Sequence, residues 1–266
     1  MCTWQQDPFF LYPQAPHSTS AGDVALPIFY YNNSNLILLY EVDHERAAAL
    51  TDGEQLEVVT VSRNKALVAV ACYEYRDTSI GSYNEVGVAI ATVPCHTKAP
   101  PFPWLALYQP VDYRHLGFTV IDLPVTTDIA CAGGRELWGF PKFVTGIDFS
   151  LTQSGFRCTV KDPDTDTQIV DIHGKPGMGI PAPQLDLVLY SIKESDMLRS
   201  LAITRGGGRL SLPGSLRLHL GKSEHPMAQR LKALGLDALK PVLVFHSQSL
   251  QLRLNAGVTT AQNKAP

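Results

Sequence analysis

No stretch of this sequence is long and apolar enough to cross a membrane as a helix. Its longest apolar runs, such as Ala66 to Cys72, fall far short of the roughly 18 residues required. The segment Met1 to Ser20 carries Pro, aromatic and polar side chains and lacks the basic start and apolar stretch of a secretory signal. A soluble, cytoplasmic protein with no membrane partner is therefore expected. Charged residues are few, 18%, and the formal net charge of −3 comes with scattered Lys and Arg, so no basic surplus exists to follow a phosphate backbone and no nucleic acid is expected as a partner. The five cysteines, Cys2, Cys72, Cys95, Cys131 and Cys158, are odd in number, far apart and without a Cys-x-x-Cys pair. They read as reduced thiols, mostly core filler, and not as a zinc site or redox couple. The eight histidines lack His-x-x-x-His or His-Glu-x-x-His spacing, and no Gly-x-Ser-x-Gly elbow occurs, which disfavours metal hydrolysis and serine-triad chemistry.

What is present is a succession of short, apolar, β-branched segments separated by Gly, Pro, Asn, Asp or Ser, the pattern of a sheet-rich protein. The candidates are Leu36 to Val42, Leu56 to Val61, Ala66 to Tyr75, Val86 to Val93, Phe118 to Leu123, Phe143 to Leu151, Phe156 to Lys161, Gln168 to His173, Leu185 to Ile192, Ser200 to Thr204, Leu216 to Leu220 and Val242 to Leu254. Two helices stand out: Asp43 to Leu50, opened by a capping Asp, and Pro226 to Leu234, with Pro at the first helical position and Gly235 closing it. The Pro-rich stretch Thr92 to Pro103 reads as a loop. No repeat and no Gly/Ser linker divides the chain, so we expect an N-terminal extension, residues 1–25, followed by one domain, residues 26–266. Strand content this high, with edges to be closed or covered, predicts a mainly β (α+β) fold: an antiparallel barrel or cone-like sheet with a few covering helices.

One segment places a charge where charge is unfavourable. Gly133 to Phe143 reads Gly-Gly-Arg-Glu-Leu-Trp-Gly-Phe-Pro-Lys-Phe, with a single Lys142 among aromatic residues just after Pro141. An ammonium desolvated by Phe140, Phe143 and Trp138 would have its pKa lowered toward neutrality, and a neutral amine is a nucleophile. The plainer reading is a surface loop from which Lys142 snorkels past the rings to water.

The run Gly134-Arg-Glu-Leu-Trp-Gly-Phe-Pro-Lys142 closely resembles the segment that holds the Schiff-base lysine of acetoacetate decarboxylases. Upstream, Asp77-Thr-Ser-Ile-Gly-Ser-Tyr-Asn-Glu85 is similar to that family's Asp-Thr-Ser…Tyr-x-Glu run, whose glutamate lines the active site. Weaker similarity continues through Leu185 to Ile203 and His225 to Leu252. The resemblance implies a homo-oligomer that acts on a small keto acid without a cofactor or metal, with Lys142 as the amine nucleophile and Glu85 as the proton handler; the activated lysine is the family's known chemistry. The sequence also departs from the family. Phe143 stands where the decarboxylase has a second lysine, Asn33, with Tyr31 beside it, falls at or near an arginine close to the substrate, and a further glutamate aligns around Val70 or Ala71. Pro94 to Pro103 reads as an insertion. Desolvation alone can still supply a lysine shift of about 3 units, roughly 4 kcal/mol.

The candidate substrate-binding residues are thus Tyr31, Asn33, Arg135 and Phe140, with Phe140, Phe143 and Trp138 setting pocket size for an apolar or aromatic substrate. Arg135 and Glu136 pair more plausibly as a helix-start ion pair bracing the lysine loop than as a substrate clamp. Asp162-Pro-Asp-Thr-Asp166 lacks the Gly and Glu of a calcium loop and reads as an acidic turn. Gly174 to Gly179 and Arg205 to Arg209 are Gly-rich turns without a Walker lysine. Three functions compete: decarboxylation of a small β-keto acid through a lysine imine, an aldolase-dehydratase acting on pyruvate and an aldehyde through the same imine, and a barrel that binds a small acid without turning it over.

Overall fold

The structure is a computed structural model that describes residues 4–51 and 53–259. Seven strands close into a barrel: β1 (Ile28–Asp43), β2 (Lys65–Thr78), β3 (Tyr83–Pro94), β4 (Gly117–Val125), β5 (Leu187–Lys193), β6 (Asp196–Arg205) and β7 (Leu243–Leu254). They are hydrogen-bonded in that order, and β7 returns to β1 to complete the ring. All neighbours are antiparallel except β4 and β5, which run parallel. A second, four-stranded antiparallel sheet, ordered Ile147–Leu151, Phe156–Lys161, Gln168–Gly174 and Arg217–Leu220, packs against the outside of the barrel. The expected mainly antiparallel barrel with few helices is the observed one.

The sequence of β2 shows why it reads as an almost unbroken apolar run. Strand side chains alternate between faces, and here both faces are covered. Val68, Val70 and Cys72 point outward into the layer shared with the second sheet, where they join Leu36, Leu38 and Tyr40 of β1, Val86, Val88 and Ile90 of β3, and Cys158, Val160 and Ile172. Ala69, Ala71, Tyr73 and Tyr75, the alternate set, line a cavity inside the barrel. Leu38 is wholly buried between the layers. Leu38→Ala should therefore cost about 2–5 kcal/mol, read as a lowered urea midpoint at unchanged slope.

Among the described residues, four α-helices cover the barrel: α1 (His44–Ala48), α2 (Pro103–Ala106), α3 (Asp128–Trp138) and α4 (Pro226–Leu234). Asp43 caps α1 by accepting from the backbone N–H groups of Glu45 and Arg46, and Gly235, at φ 73°, closes α4 in the left-handed region, both as anticipated. Arg230 of α4 holds the helix to the barrel by a paired hydrogen bond to Asp122 of β4, its Nε 2.9 Å from Oδ2. The sequence reading missed α3, because Gly133 and Gly134 in its middle lower helix propensity by about 1 kcal/mol each relative to Ala. It also joined Phe143 to Leu151 into one strand. The chain instead makes Lys142–Val144, alongside β4, and then crosses to the second sheet at Ile147. Within the Thr92 to Pro103 segment, β3 runs on to Pro94 and α2 begins at Pro103. Cys72 and Cys158 are buried in the core, Cys95 and Cys131 are partly exposed, and Cys2 lies outside the described residues.

Within the segment expected to be an extension, residues Ala15–Thr19 and Gly22–Leu26 form a hairpin whose Val24 and Leu26 are buried in the core beside α3. Upstream, Asp7 pairs with Arg205 of β6, and Phe10 packs edge-on against Tyr31. The Arg205 hydrogen bonds hold the Asp7 carboxyl down at about 2. A depressed carboxylate pKa means this contact contributes fully above the ordinary value near 3.8 and is lost as pH falls through about 2. The Phe10 and Leu11 amides, which donate to the Asp7 carbonyl, should lose hydrogen-exchange protection across that window, and Asp7→Asn should remove the pH dependence.

Candidate active site

The path of the chain around Lys142 follows from its local sequence. Helix α3 ends at Trp138, and Gly139 adopts φ 69°, a left-handed conformation that favours glycine; a side chain there would also meet the Ile192 carbonyl at 2.7 Å. The Gly139 N–H donates to the Arg135 carbonyl and the Phe140 N–H to the Gly134 carbonyl, both at 3.0 Å, which turns the chain back sharply. Pro141 biases Phe140 toward extended backbone. Lys142 then enters the sheet opposite Leu123 of β4. Its stem runs directly across Gly134, where a Cβ would overlap Cδ and Cε of the lysine. The glycine of the Gly-Arg-Glu-Leu run is thus needed for space, and the helix accepts its low propensity there.

Lys142 is 8% exposed and Glu85 7%. The lysine Nζ lies 2.6 Å from Glu85 Oε2, and the other carboxylate oxygen accepts from the Tyr75 hydroxyl at 3.2 Å. The Tyr83 ring centroid is 5.7 Å from the ammonium, and the hydroxyls of Tyr30 and Tyr83 are 3.0 Å apart. Burial, reinforced by the Glu85 charge, raises the hydroxyls of Tyr30, Tyr73 and Tyr75 above the ordinary phenol range; burial, then the neighbouring Tyr30 and Glu85, raises Tyr83. All four stay protonated and can donate hydrogen bonds at neutral pH.

Tyr30, Tyr73, Tyr75, Glu85 and Lys142 line a cavity of 190 Å³ inside the barrel, larger than the roughly 150 Å³ engineered cavities that take up benzene. Its walls are otherwise mostly apolar, with Gln184 and Thr204 the other polar side chains apart from the tyrosines and Trp104, and among the described residues Lys142 is the one cation that lines it. An amine paired with a carboxylate in a largely apolar cavity, ringed by neutral donors, can form a carbon–nitrogen bond to a carbonyl and move protons at the adjacent carbon.

Of the residues singled out in the sequence, Lys142, Glu85 and Phe140 line this cavity. Tyr31 does not; it stacks on Trp4, centroids 5.9 Å apart, and contacts Phe10 on the outer surface. Asn33 is buried but turned away, donating to the Leu250 carbonyl at 2.7 Å and accepting from Asn35. Arg135 is exposed on α3, beside Cys131 and Asp128. The expected Arg135–Glu136 helix-start pair is not formed among the described residues: both lie in the second half of α3, and Glu136 instead accepts from the backbone and side chain of Ser20. Phe143 points out of the barrel onto His225, 4.5 Å between centroids, and Trp138 lies behind Phe140 rather than on the cavity wall. Ala71, near where a second glutamate aligns, does line the cavity. The tyrosine cluster escaped the sequence reading. Its signal was there in Tyr73-Glu-Tyr75, whose two-residue spacing continues the inward face of Ala69 and Ala71.

No curated protein matches the chain by sequence. Solved structures match along nearly its whole length. An acetoacetate decarboxylase from Legionella pneumophila superposes with a TM-score of 0.62 at 16% identity, over 96% of this chain and 94% of that one. An acetoacetate decarboxylase-like enzyme from Sphingomonas wittichii gives 0.59 at 12%, over 89% and 94%. The enduracididine biosynthesis enzyme MppR gives 0.61 at 12%, over 90% and 89%. At such identities the likeness speaks for the fold alone. The family model for acetoacetate decarboxylase matches residues 11–213 of the sequence itself, and the chain belongs to that family.

Proposed function

We propose that this protein is a Schiff-base lyase that decarboxylates a β-keto acid through Lys142. The observation that carries the reading is the 2.6 Å contact between Lys142 and Glu85 at the buried wall of the cavity. Proton transfer across that hydrogen bond leaves a neutral amine and a carboxylic acid. The amine adds to the keto carbon, and loss of water, with one proton taken up from solvent, gives a protonated imine. The bond to the carboxylate then breaks, its electron pair flows into the imine, and carbon dioxide departs, leaving an enamine. Glu85 returns its proton to the enamine carbon, and water hydrolyses the imine to release the ketone and the free amine. The net change consumes one proton and yields one ketone and one carbon dioxide.

The apolar wall supports this outcome. Among the described residues the substrate carboxylate meets no fixed cation besides the imine nitrogen, so nothing on the described wall favours keeping its charge localised, and that charge disperses as the carbon–carbon bond breaks. The same imine could serve aldol chemistry. One structural neighbour, MppR, was solved with the condensation product of pyruvate and imidazole 4-carboxaldehyde. The two reactions separate in a single experiment: carbon dioxide release from acetoacetate is expected here, and condensation of pyruvate with an aldehyde in its absence would replace our reading with the aldolase-dehydratase. Failure of borohydride to trap either keto acid on the chain would leave a non-catalytic binding barrel. The same reading includes a cytoplasmic homo-oligomer, which light scattering of the purified protein would test.

A further inference from the structure

The cavity wall is uneven. Most of it is formed by large side chains, among them Ile37, Leu39, Phe118, Leu189 and Phe245. On the two neighbouring strands β2 and β3, however, the next two inward positions beyond Tyr73 and Glu85 are small. Ala71 pairs with Gly87 and Ala69 with Ala89 in the sheet register, and all four line the cavity. Since successive inward residues lie two apart, these four small residues form a continuous strip that starts beside the Lys142–Glu85 pair. Along β2, Ala69 lies four residues, about 13 Å, beyond Tyr73, which pairs with Glu85. Beyond it stand Trp104 and Leu107 from the α2 segment, packed in the same apolar cluster as Ala69 and Ala89. The tyrosines and Phe140 belong to a different cluster around Lys142, and Ile37 and Leu189 bridge the two.

We infer that the site takes β-keto acids bearing a linear, apolar, medium-length tail, which lies along the strip Ala71, Gly87, Ala69 and Ala89 and ends against Trp104 and Leu107. This rests on the imine reading above for where the keto group sits, but the tail slot is a separate physical feature. An extended chain advances about 1.2 Å per bond, so about 13 Å accommodates roughly ten bonds past the reacting end. A small acid such as acetoacetate would leave the strip uncovered. Small residues at adjacent inward positions contribute little apolar area of their own, and they create the room that a tail would fill. The wall residues that reach solvent, Tyr108, Pro183, Gln184 and Gly206, mark the mouth through which such a tail would enter, and none of them is charged.

The test has two arms. The first measures kcat/KM for decarboxylation of acetoacetate, 3-oxohexanoate, 3-oxooctanoate and 3-oxodecanoate. The wild type should favour 3-oxooctanoate over acetoacetate by at least about tenfold, the scale of one or more methylenes in an apolar pocket. Ala89→Leu should lower that ratio at least about tenfold by filling the strip. Gly87→Val is the second variant; its Cβ meets Leu123 Cδ1 at 3.2 Å, a flexible methyl that can give way. The second arm needs no chemistry: octanoate and butyrate are titrated calorimetrically against the wild type and Ala89→Leu. Octanoate should bind at least about tenfold more tightly, and only to the wild type. Equal affinities for the two acids, an octanoate preference that survives Ala89→Leu, or a 3-oxooctanoate preference in turnover that survives both variants would overturn the slot. Tight octanoate binding with no turnover of any keto acid would keep the slot and sink the imine reading, so the two failures are distinct.

Discussion

Lys142→Ala should reduce turnover at least about 10⁴-fold and abolish the borohydride-trapped adduct, read by intact mass after incubation with the keto acid. Among the described residues no other amine lines the cavity, so no neighbour there can replace it. Glu85→Gln keeps the amine and the volume but removes the group that exchanges a proton with Nζ, and a loss of about 10²–10⁴-fold is expected with trapping slowed but still present. The two substitutions differ in stability as well. Each single change strands a buried partner, and breaking such a pair costs about 3–5 kcal/mol. Combining Lys142→Met with Glu85→Gln removes both charges at nearly constant volume and should recover that loss, giving a protein as stable as the wild type or up to about 4 kcal/mol more so. A pair that lowers stability where it stands is retained for its chemistry; urea denaturation of the wild type, Lys142→Met, Glu85→Gln and the double variant checks this, and additive single-mutant losses in the double variant would argue against it.

Gly134→Ala should be nearly as damaging to activity while sparing the fold. On helical propensity alone alanine is better by about 1 kcal/mol. The added methyl, however, occupies the space of the Lys142 stem at Cδ and Cε. The lysine is the flexible partner and will yield, carrying Nζ away from Glu85 and from the tyrosine cluster. Displacement of a reacting group by about 1 Å costs roughly 10²-fold, so kcat/KM should fall at least that far with an unchanged circular dichroism spectrum. The adduct should form slowly with the full keto-acid concentration dependence retained. Normal turnover in Gly134→Ala would mean that the amine reaches the substrate by another path.

The sequence was most informative where chemistry is local. The setting of Lys142 after Pro141, the Glu85 run and the strand-rich pattern were legible because each is written in consecutive residues. The helix carrying Gly134 was not, since two glycines in its middle obey the needs of the lysine stem rather than those of the helix. Tyr31 and Asn33 were placed near the substrate on loose alignment, but on a strand a shift of one residue exchanges inside for outside, and the pairing of β1 with β2 shifts register between Tyr30 and Asn33. That irregularity puts Tyr30 on the cavity and sends Tyr31 outward to Trp4.

By itself, then, the sequence pointed to a candidate lysine, a candidate carboxylate and the kind of fold that could bury them, because composition, turn residues and two-residue alternation act over short distances. Only the tertiary structure decided that residues 57 apart would meet at 2.6 Å, that four tyrosines would surround them, and that Ala69, Ala71, Gly87 and Ala89 would leave an open strip beside them. Those outcomes depend on how seven tilted strands close on one another, and ring closure is a property of the whole sheet that no single segment encodes.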